Sequence, residues 1–368
     1  MKGLDTSLRA ATRELCTARC PVILLGPEAA PAALLLVELA ERLGAAIFTT
    51  PDAKSLIDHR RSSGTFSFGA PANARRIIER ADVVLAVSAL GEFSCRLGEA
   101  FRQHRVIQVT ESVMDVGRNL EPAVSLVGMP ISAIIALLWA ELQPLIPAAR
   151  KDWFSELGRD VIAEPPPASR PGFIHPIAAI AAVQSALPDP ARVCLDVTSG
   201  ALHAYERLKV TTSQRVFSSI EKGACMSEAL LASIGIRLAS NLPTLVLVGD
   251  WGVCMAPAEL HTAVELELDR YVVLIWANSG GAFIGAGVEQ QKIVVPEQVW
   301  RWRFPPDFAQ VASGYGARGV TVTDAKALQN ELSCALRGAG PVVIEASIDA
   351  TIPVPAGDRF LTLGEARA

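Results

Sequence analysis

Short apolar runs recur along the chain, separated by segments whose apolar positions fall three or four residues apart. Within the first 145 residues, 22–25, 46–50, Val83–Val87 and Arg105–Thr110 read as strands, while 30–43 and 73–80 carry helical spacing. A loop runs between the second and third of these strands, through Gly64 and Gly69. The same rhythm resumes after residue 172, with a helix at 177–187, strands at 193–196, 245–248 and 272–275, a helix at 306–315, and strands at 319–322 and 341–346. Strands that are apolar throughout and alternate with helices predict parallel sheets covered on both faces. The fold class expected is therefore α/β, with two doubly wound parallel-sheet domains. Pro144, Pro147, Pro165, Pro166, Pro167 and Pro171 crowd the stretch between the two halves, as an interdomain linker would. The expected division is 1–145 for a Rossmann-like domain, 146–172 for a Pro-rich linker, 173–350 for the second domain and 351–368 for a tail.

Composition narrows the class without naming it. Half of the 368 residues are apolar, ample for two buried cores. The net charge of −4 and the lack of a long basic run exclude nucleic acid as an expected partner. Seven cysteines lie scattered with no CxxC pair and, with no signal peptide, read as reduced thiols of a cytoplasmic protein. The most apolar window, 130–140, is too short to span a bilayer.

Candidate chemistry concentrates in 245–285. Two apolar runs end in Gly249-Asp250 and in Asn278-Ser279-Gly280, with a helix-like segment between them. Parallel strands joined by a crossover would place Asp250 and Asn278 at the carboxyl edge of one sheet, where open α/β sheets bind ligands. A carboxylate and a carboxamide oxygen beside a Gly-rich turn suit a hard octahedral cation that also holds phosphate oxygens, typically Mg²⁺. This stretch resembles the diphosphate-binding motif of thiamine-diphosphate enzymes, which opens Gly-Asp-Gly and closes on a pair of Asn. The resemblance implies Asp250, Asn278 and the Gly280 carbonyl as Mg²⁺ ligands, and Gly249, Asp250, Trp251, Gly252 and Asn278 as cofactor-binding residues. Trp251 stands where the family has Gly, Ala277 where it has the first Asn, and the Asp-to-Asn spacing is about one residue longer.

Further phrases extend the likeness. Ala224-Cys225-Met226-Ser227 occupies the place of the family's Gly-Thr-Met-Gly-like turn. That implies Met226 as the apolar wedge under a bent cofactor and the Ala224 carbonyl as acceptor for its 4′-amino group. Ser199 and Gly200 follow a strand in Thr198-Ser199-Gly200, which reads either as a small anion nest or as a plain turn. Residues 301–304, RWRF, read as a cover over the site or as amphipathic surface. His203 and His261 lie in helical patterns and read as packing or surface rather than catalytic groups. PVILLGPEAA, LAERLGAAIFTT and ANARRIIERADVVLAVSA resemble, in order, the central domain of acetohydroxyacid synthase and its relatives. Glu28-Ala29 and Leu90-Gly91-Glu92 replace the glycines and Arg that hold FAD in flavin-dependent members, so bound FAD is not expected.

The resemblance implies a subunit of a split thiamine-diphosphate-dependent 2-oxo acid decarboxylase or carboligase, acetolactate synthase-like. A separate pyrimidine-binding subunit would complete it, in a hetero-oligomer with two copies of each, and would supply the Glu that activates the cofactor. No catalytic residue is therefore expected in this chain. The alternative is a non-catalytic scaffold or regulatory remnant of the same family.

Overall fold

A computed structural model describes residues 2–67, 72–158 and 169–355 of the chain, which divides into two compact units, Met1–Ile162 and Ala163–Ala368. Gly69, the second glycine expected in the loop after residue 50, and most of the expected tail lie outside the described residues.

The first unit is built on β1 (Pro21–Leu25), β2 (Ala46–Thr49), β3 (Gly64–Thr65), β4 (Val83–Val87), β5 (Arg105–Thr110) and β6 (Val124–Val127). They form one parallel sheet in the order β3-β2-β1-β4-β5-β6. Alternate residues serve opposite cores. Ile23, Leu25, Leu85 and Val87 pack with residues of the helices Lys2–Thr17, Ala33–Leu43 and Ile131–Leu142, whereas Val22, Leu24, Val84 and Ala86 face Ala74, Ile77 and Ile78 of the helix Ala72–Arg80. The helix expected over 30–43 starts only at Ala33, since Pro27–Ala32 winds as a 3-10 turn containing Pro31, which has no N–H to give an α-helix. Strand order reverses between β1 and β4, and the crevice at that reversal is where such sheets hold a ligand phosphate. Here the Glu28 carboxylate accepts hydrogen bonds from Ser88 Oγ (3.2 Å) and the Ala89 amide (3.1 Å) at the ends of those strands.

Part of the stretch read as linker belongs to this unit. Trp153, Phe154 and Leu157 pack against its core, the Trp153 indole donates to the Pro21 carbonyl, and the Arg150 amide bonds the Arg42 carbonyl. Aromatic side chains among the prolines and charges bind the segment to the sheet it follows.

The second unit repeats the architecture with β7 (Ala191–Leu195), β8 (Gln214–Ser218), β9 (Thr244–Gly249), β10 (Tyr271–Ala277), β11 (Arg318–Val322) and β12 (Pro341–Ser347), all parallel, in the order β11-β12-β10-β9-β7-β8. Val246, Val248, Val273 and Ile275 face one core and Leu245, Leu247, Leu274 and Trp276 are buried on the other side. The chain passes from β7 outward to β8 and returns to β9 on β7's other flank, so the switch point lies between the carboxyl ends of β7 and β9. The crossover from β9 to β10 is two short helices, Asp250–Met255 and Glu259–Glu265, interrupted at Ala256-Pro257. Among the described residues, no helix is long and apolar enough to cross a membrane.

Candidate functional site

The ends of β9 and β10 set the geometry. Asp250 opens the helix after β9 and is 2 % exposed. Its Oδ1 accepts from the Trp251 amide and its Oδ2 from the Gly280 amide, both at 2.8 Å. Burial raises its pKa from 3.8 to about 6, opposed by the amides of Gly280, Trp251, Asn278 and Ser279. No Lys, Arg or His forms an ion pair with it among the described residues. A carboxylate enclosed by main-chain N–H groups but lacking a counter-charge is poised to accept a cation.

Asn278, directly after β10, is nearly buried, and its Nδ2 donates to Ser199 Oγ at 3.1 Å. That bond assigns the amide orientation and makes Oδ1 the acceptor end of the carboxamide. Ser199 and Gly200 open the helix Ser199–Arg207, with Thr198 as its N-cap, so their amides stand at a helix N-terminus and not in a loop. Gly200 is present for packing, because a Cβ there would lie 2.7 Å from the Trp276 ring and 2.8 Å from Leu247. His203 lies one turn further along the same helix, buried, with its ring stacked on Trp276, and burial holds its pKa down at about 3. Its ring packs on Trp276, and among the described residues its buried Nδ1 has no hydrogen-bond partner.

The third expected ligand, the Gly280 carbonyl, accepts from the Ala282 amide at 3.0 Å and keeps a second lone pair. Gly280 has φ +131, and a Cβ there would stand 2.3 Å from the Trp300 carbonyl, so no other residue fits. A cavity of about 320 Å³ opens beside this loop, bordered by Asn278, Ser279, Gly280, Ala282, Trp300 and Arg301.

A residue that sequence reasoning passed over ties the rest together. Asp196, at the end of β7, is 1 % exposed, and its carboxylate accepts from the amides of Ser227 (2.9 Å) and Ala229 (3.2 Å). Ser227 Oγ in turn donates to the Gly252 carbonyl at 2.6 Å. The turn bearing Ala224 and half-buried Met226 is thereby fastened both to β7 and to the segment after Asp250. Ala224 and Ser227 both hold positive φ, which makes that turn tight. Gly252 is required beneath it, because a Cβ would meet Asp196 Oδ2 at 2.7 Å. The signal for Asp196 was available, since three strands of this sheet end in Asp or Asn: Asp196, Asp250 and Asn278.

Residues 196–346 match the family model of the thiamine pyrophosphate enzyme C-terminal TPP binding domain, and residues 8–137 match that of the central domain. The chain belongs to the thiamine pyrophosphate enzymes. The TPP-binding match opens on Asp196 and includes every site residue described above. Among relatives of this chain are a protein of Pseudomonas aeruginosa named probable 2-ketoarginine decarboxylase, 29% identical over 352 residues (92% of this chain, 60% of the relative), and the acetolactate synthase large subunit of Parasynechococcus marenigrum, 24% identical over 363 residues (94% and 57%). The sulfoacetaldehyde acetyltransferase of Alcaligenes xylosoxydans xylosoxydans is 26% identical over 388 residues (93% and 63%). The chain thus spans about three-fifths of the length of these relatives.

In this TPP-binding domain the loop 278–281 carries a carboxamide and a main-chain carbonyl and is hydrogen-bonded through the Gly280 amide to the Asp250 carboxylate. Such a hard-oxygen set suits a cation that takes its remaining ligands from phosphate and water. Among the described residues no group of three or more His, Cys, Asp or Glu could hold a metal, so a soft or nitrogen-rich site is not formed there.

Proposed function

We propose that this chain is the central and diphosphate-binding subunit of a thiamine-diphosphate-dependent 2-oxo acid decarboxylase or carboligase of the acetolactate synthase type. The observation that carries the reading is Asp250, buried without a counter-charge beside the Asn278 carboxamide and held by the amides of the loop it shares with Gly280. Asp250, Asn278 Oδ1 and the Gly280 carbonyl would hold Mg²⁺, and the segments around Gly249–Gly252 and Ser199 would flank the diphosphate. Met226, on its fastened turn, would fix the bend of the cofactor, and the Ala224 carbonyl would accept from its amino group. Thiamine diphosphate, when bound, supplies the nucleophilic carbon and electron sink for loss of CO₂ from a 2-oxo acid. The protein's part is binding, orientation and exclusion of water. A pyrimidine-binding domain is not detected in this chain, and in this proposal a separate subunit supplies it, giving a hetero-oligomer with two copies of each. Relatives named as acetolactate synthase and 2-ketoarginine decarboxylase support 2-oxo acids as the substrate class.

Titration of the chain with Mg²⁺ and thiamine diphosphate, followed calorimetrically, tests the assignment. Asp250→Ala removes the only charged ligand and should weaken binding by on the order of 3 kcal/mol, about a hundredfold. Asn278→Ala should weaken it less, since water can replace a neutral carbonyl oxygen. Equal affinity of Asp250→Ala and wild type would refute the metal assignment and favour a non-catalytic scaffold.

A further inference from the structure

The 278–281 loop carries two of the three proposed metal ligands and, through the Gly280 amide, orients the third, Asp250. Its backbone does not hold that shape by itself. Ser279 and Gly280 are successive residues at positive φ (+66 and +131), and a non-glycine residue in that region costs free energy. Something outside the loop must hold it.

The supports come from two sides. On one, Trp251 lays the far edge of its indole against Gly281: a Cβ there would lie 3.0 Å from both Cη2 and Cζ3 of the ring. On the other, the segment 300–302 runs antiparallel to the loop, pairing Gly280 with Arg301. The Trp300 carbonyl accepts from the Gly281 amide at 2.6 Å, and the Trp302 amide donates to the Ser279 carbonyl at 2.9 Å. The Trp300 indole covers Gly285, where a Cβ would meet its Nε1 at 2.5 Å. The two sides touch, since the Trp251 and Trp302 rings are 6.5 Å apart, and Trp302 leans at 6.2 Å on Phe308, a fully buried residue. A continuous run of rings links the ligand loop to the core of the unit.

We infer that Trp251, acting with Trp302, is a positioning residue that clamps the 278–281 loop in the shape its metal and diphosphate ligands require. The indole therefore compensates for the glycine that thiamine-diphosphate enzymes carry at this place, instead of marking a decayed site. Among the described residues its buried Nε1 has no hydrogen-bond partner, so the ring acts here by shape and contact. The inference rests on the proposed function for the identity of the ligand, but the clamp itself is a property of the ligand-free chain.

Two readouts on the full chain separate these layers: hydrogen exchange of the Gly280 and Gly281 amides without ligand, and Mn²⁺ binding in the presence of inorganic pyrophosphate, read by electron paramagnetic resonance. Trp251→Gly should speed exchange at both amides and weaken Mn²⁺–pyrophosphate binding, each by about tenfold or more, as expected when a strained loop loses its support. Trp251→Phe, which keeps an aromatic ring but shortens the side chain at the distal indole edge that meets Gly281, should restore only part of both. Wild-type affinity in Trp251→Gly, or no recovery in Trp251→Phe, overturns the inference. If Trp251→Gly does not fold, Trp302→Ala is read against the same expectations. If wild type fails to bind Mn²⁺ with pyrophosphate, the proposed function falls, and unchanged exchange in the variants would then overturn the clamp as well.

Discussion

Replacing Asp196 by Ala strips a buried carboxylate from two main-chain N–H groups at once. Those donors, Ser227 N at 2.9 Å and Ala229 N at 3.2 Å, begin the helix Glu228–Ser240 and complete the turn that carries Met226. A hydrogen bond to a charged acceptor contributes about 1.5–3 kcal/mol, and an orphaned buried donor costs a similar amount. Two such bonds give about 3–6 kcal/mol. Burial raises the Asp196 pKa, so relief of desolvation returns part of this and leaves about 2–4 kcal/mol of net destabilisation. Asp196→Asn keeps one acceptor oxygen and should cost about half as much. Equilibrium urea unfolding followed by tryptophan fluorescence suits the measurement, because four of the six tryptophans, Trp251, Trp276, Trp300 and Trp302, belong to the second unit. A second variant checks the geometry. Gly252→Ala drives a Cβ to within 2.7 Å of Asp196 Oδ2 in wild type, whereas in Asp196→Ala only the close contact with Val248 Cγ2 at 2.8 Å remains. The double-mutant cycle should therefore show coupling of about 1 kcal/mol. Unfolding of Asp196→Ala within about 0.5 kcal/mol of wild type, or strictly additive effects, would refute the anchoring role.

Two further outcomes follow from the same site. Because burial raises Asp250 from 3.8 to about 6, its contribution to stability is fully present below pH 3.8 and is lost as pH rises through about 6; metal-free protein should lose up to about 3 kcal/mol over that window. Asp250→Asn should flatten that part of the pH profile of unfolding, and an unaltered profile would show that Asp250 does not titrate there. Gly280→Ala places a Cβ on the Trp300 carbonyl at φ +131 and should destabilise the second unit by about 2–4 kcal/mol, measured as a lowered thermal midpoint; an unchanged midpoint would contradict the described loop.

Both sheets were legible because their central strands are buried on both faces and so read as unbroken apolar runs, β1, β4, β9 and β10 above all. β6 was not, because Val124–Val127 is an edge strand, half-exposed and broken by Ser125. The helix Ser199–Arg207 was misread at its start, since Thr-Ser-Gly has turn composition; only the tertiary contact of Gly200 with Trp276 explains a glycine in a first helical turn. The strand-end positions of Asp250 and Asn278 followed from pattern alone. The role of the RWRF stretch did not, because pairing of Arg301 with Gly280 is a long-range contact that no local periodicity encodes.

Asp196 and Asp250 show why strand-end chemistry alone does not identify a ligand. Both are buried aspartates at the switch point, both accept main-chain N–H groups, and burial raises both. They differ in what their partners do. The donors on Asp196 belong to the start of a long helix, and a Cβ on Gly252 would meet its Oδ2 at 2.7 Å, so its oxygens are taken up in holding the turn that carries Met226. The donors on Asp250 belong to a loop that also presents the Asn278 side chain and the Gly280 carbonyl, beside a cavity of about 320 Å³. Even four amides leave Asp250 titrating at about 6, which means that its ionised form is still short of positive charge. A bound divalent cation would supply that charge, and the free energy recovered on neutralising the carboxylate is then available to binding. Because burial raises both carboxylates, it is not the shift but the cavity beside the donors of Asp250 that marks where a ligand has something to gain.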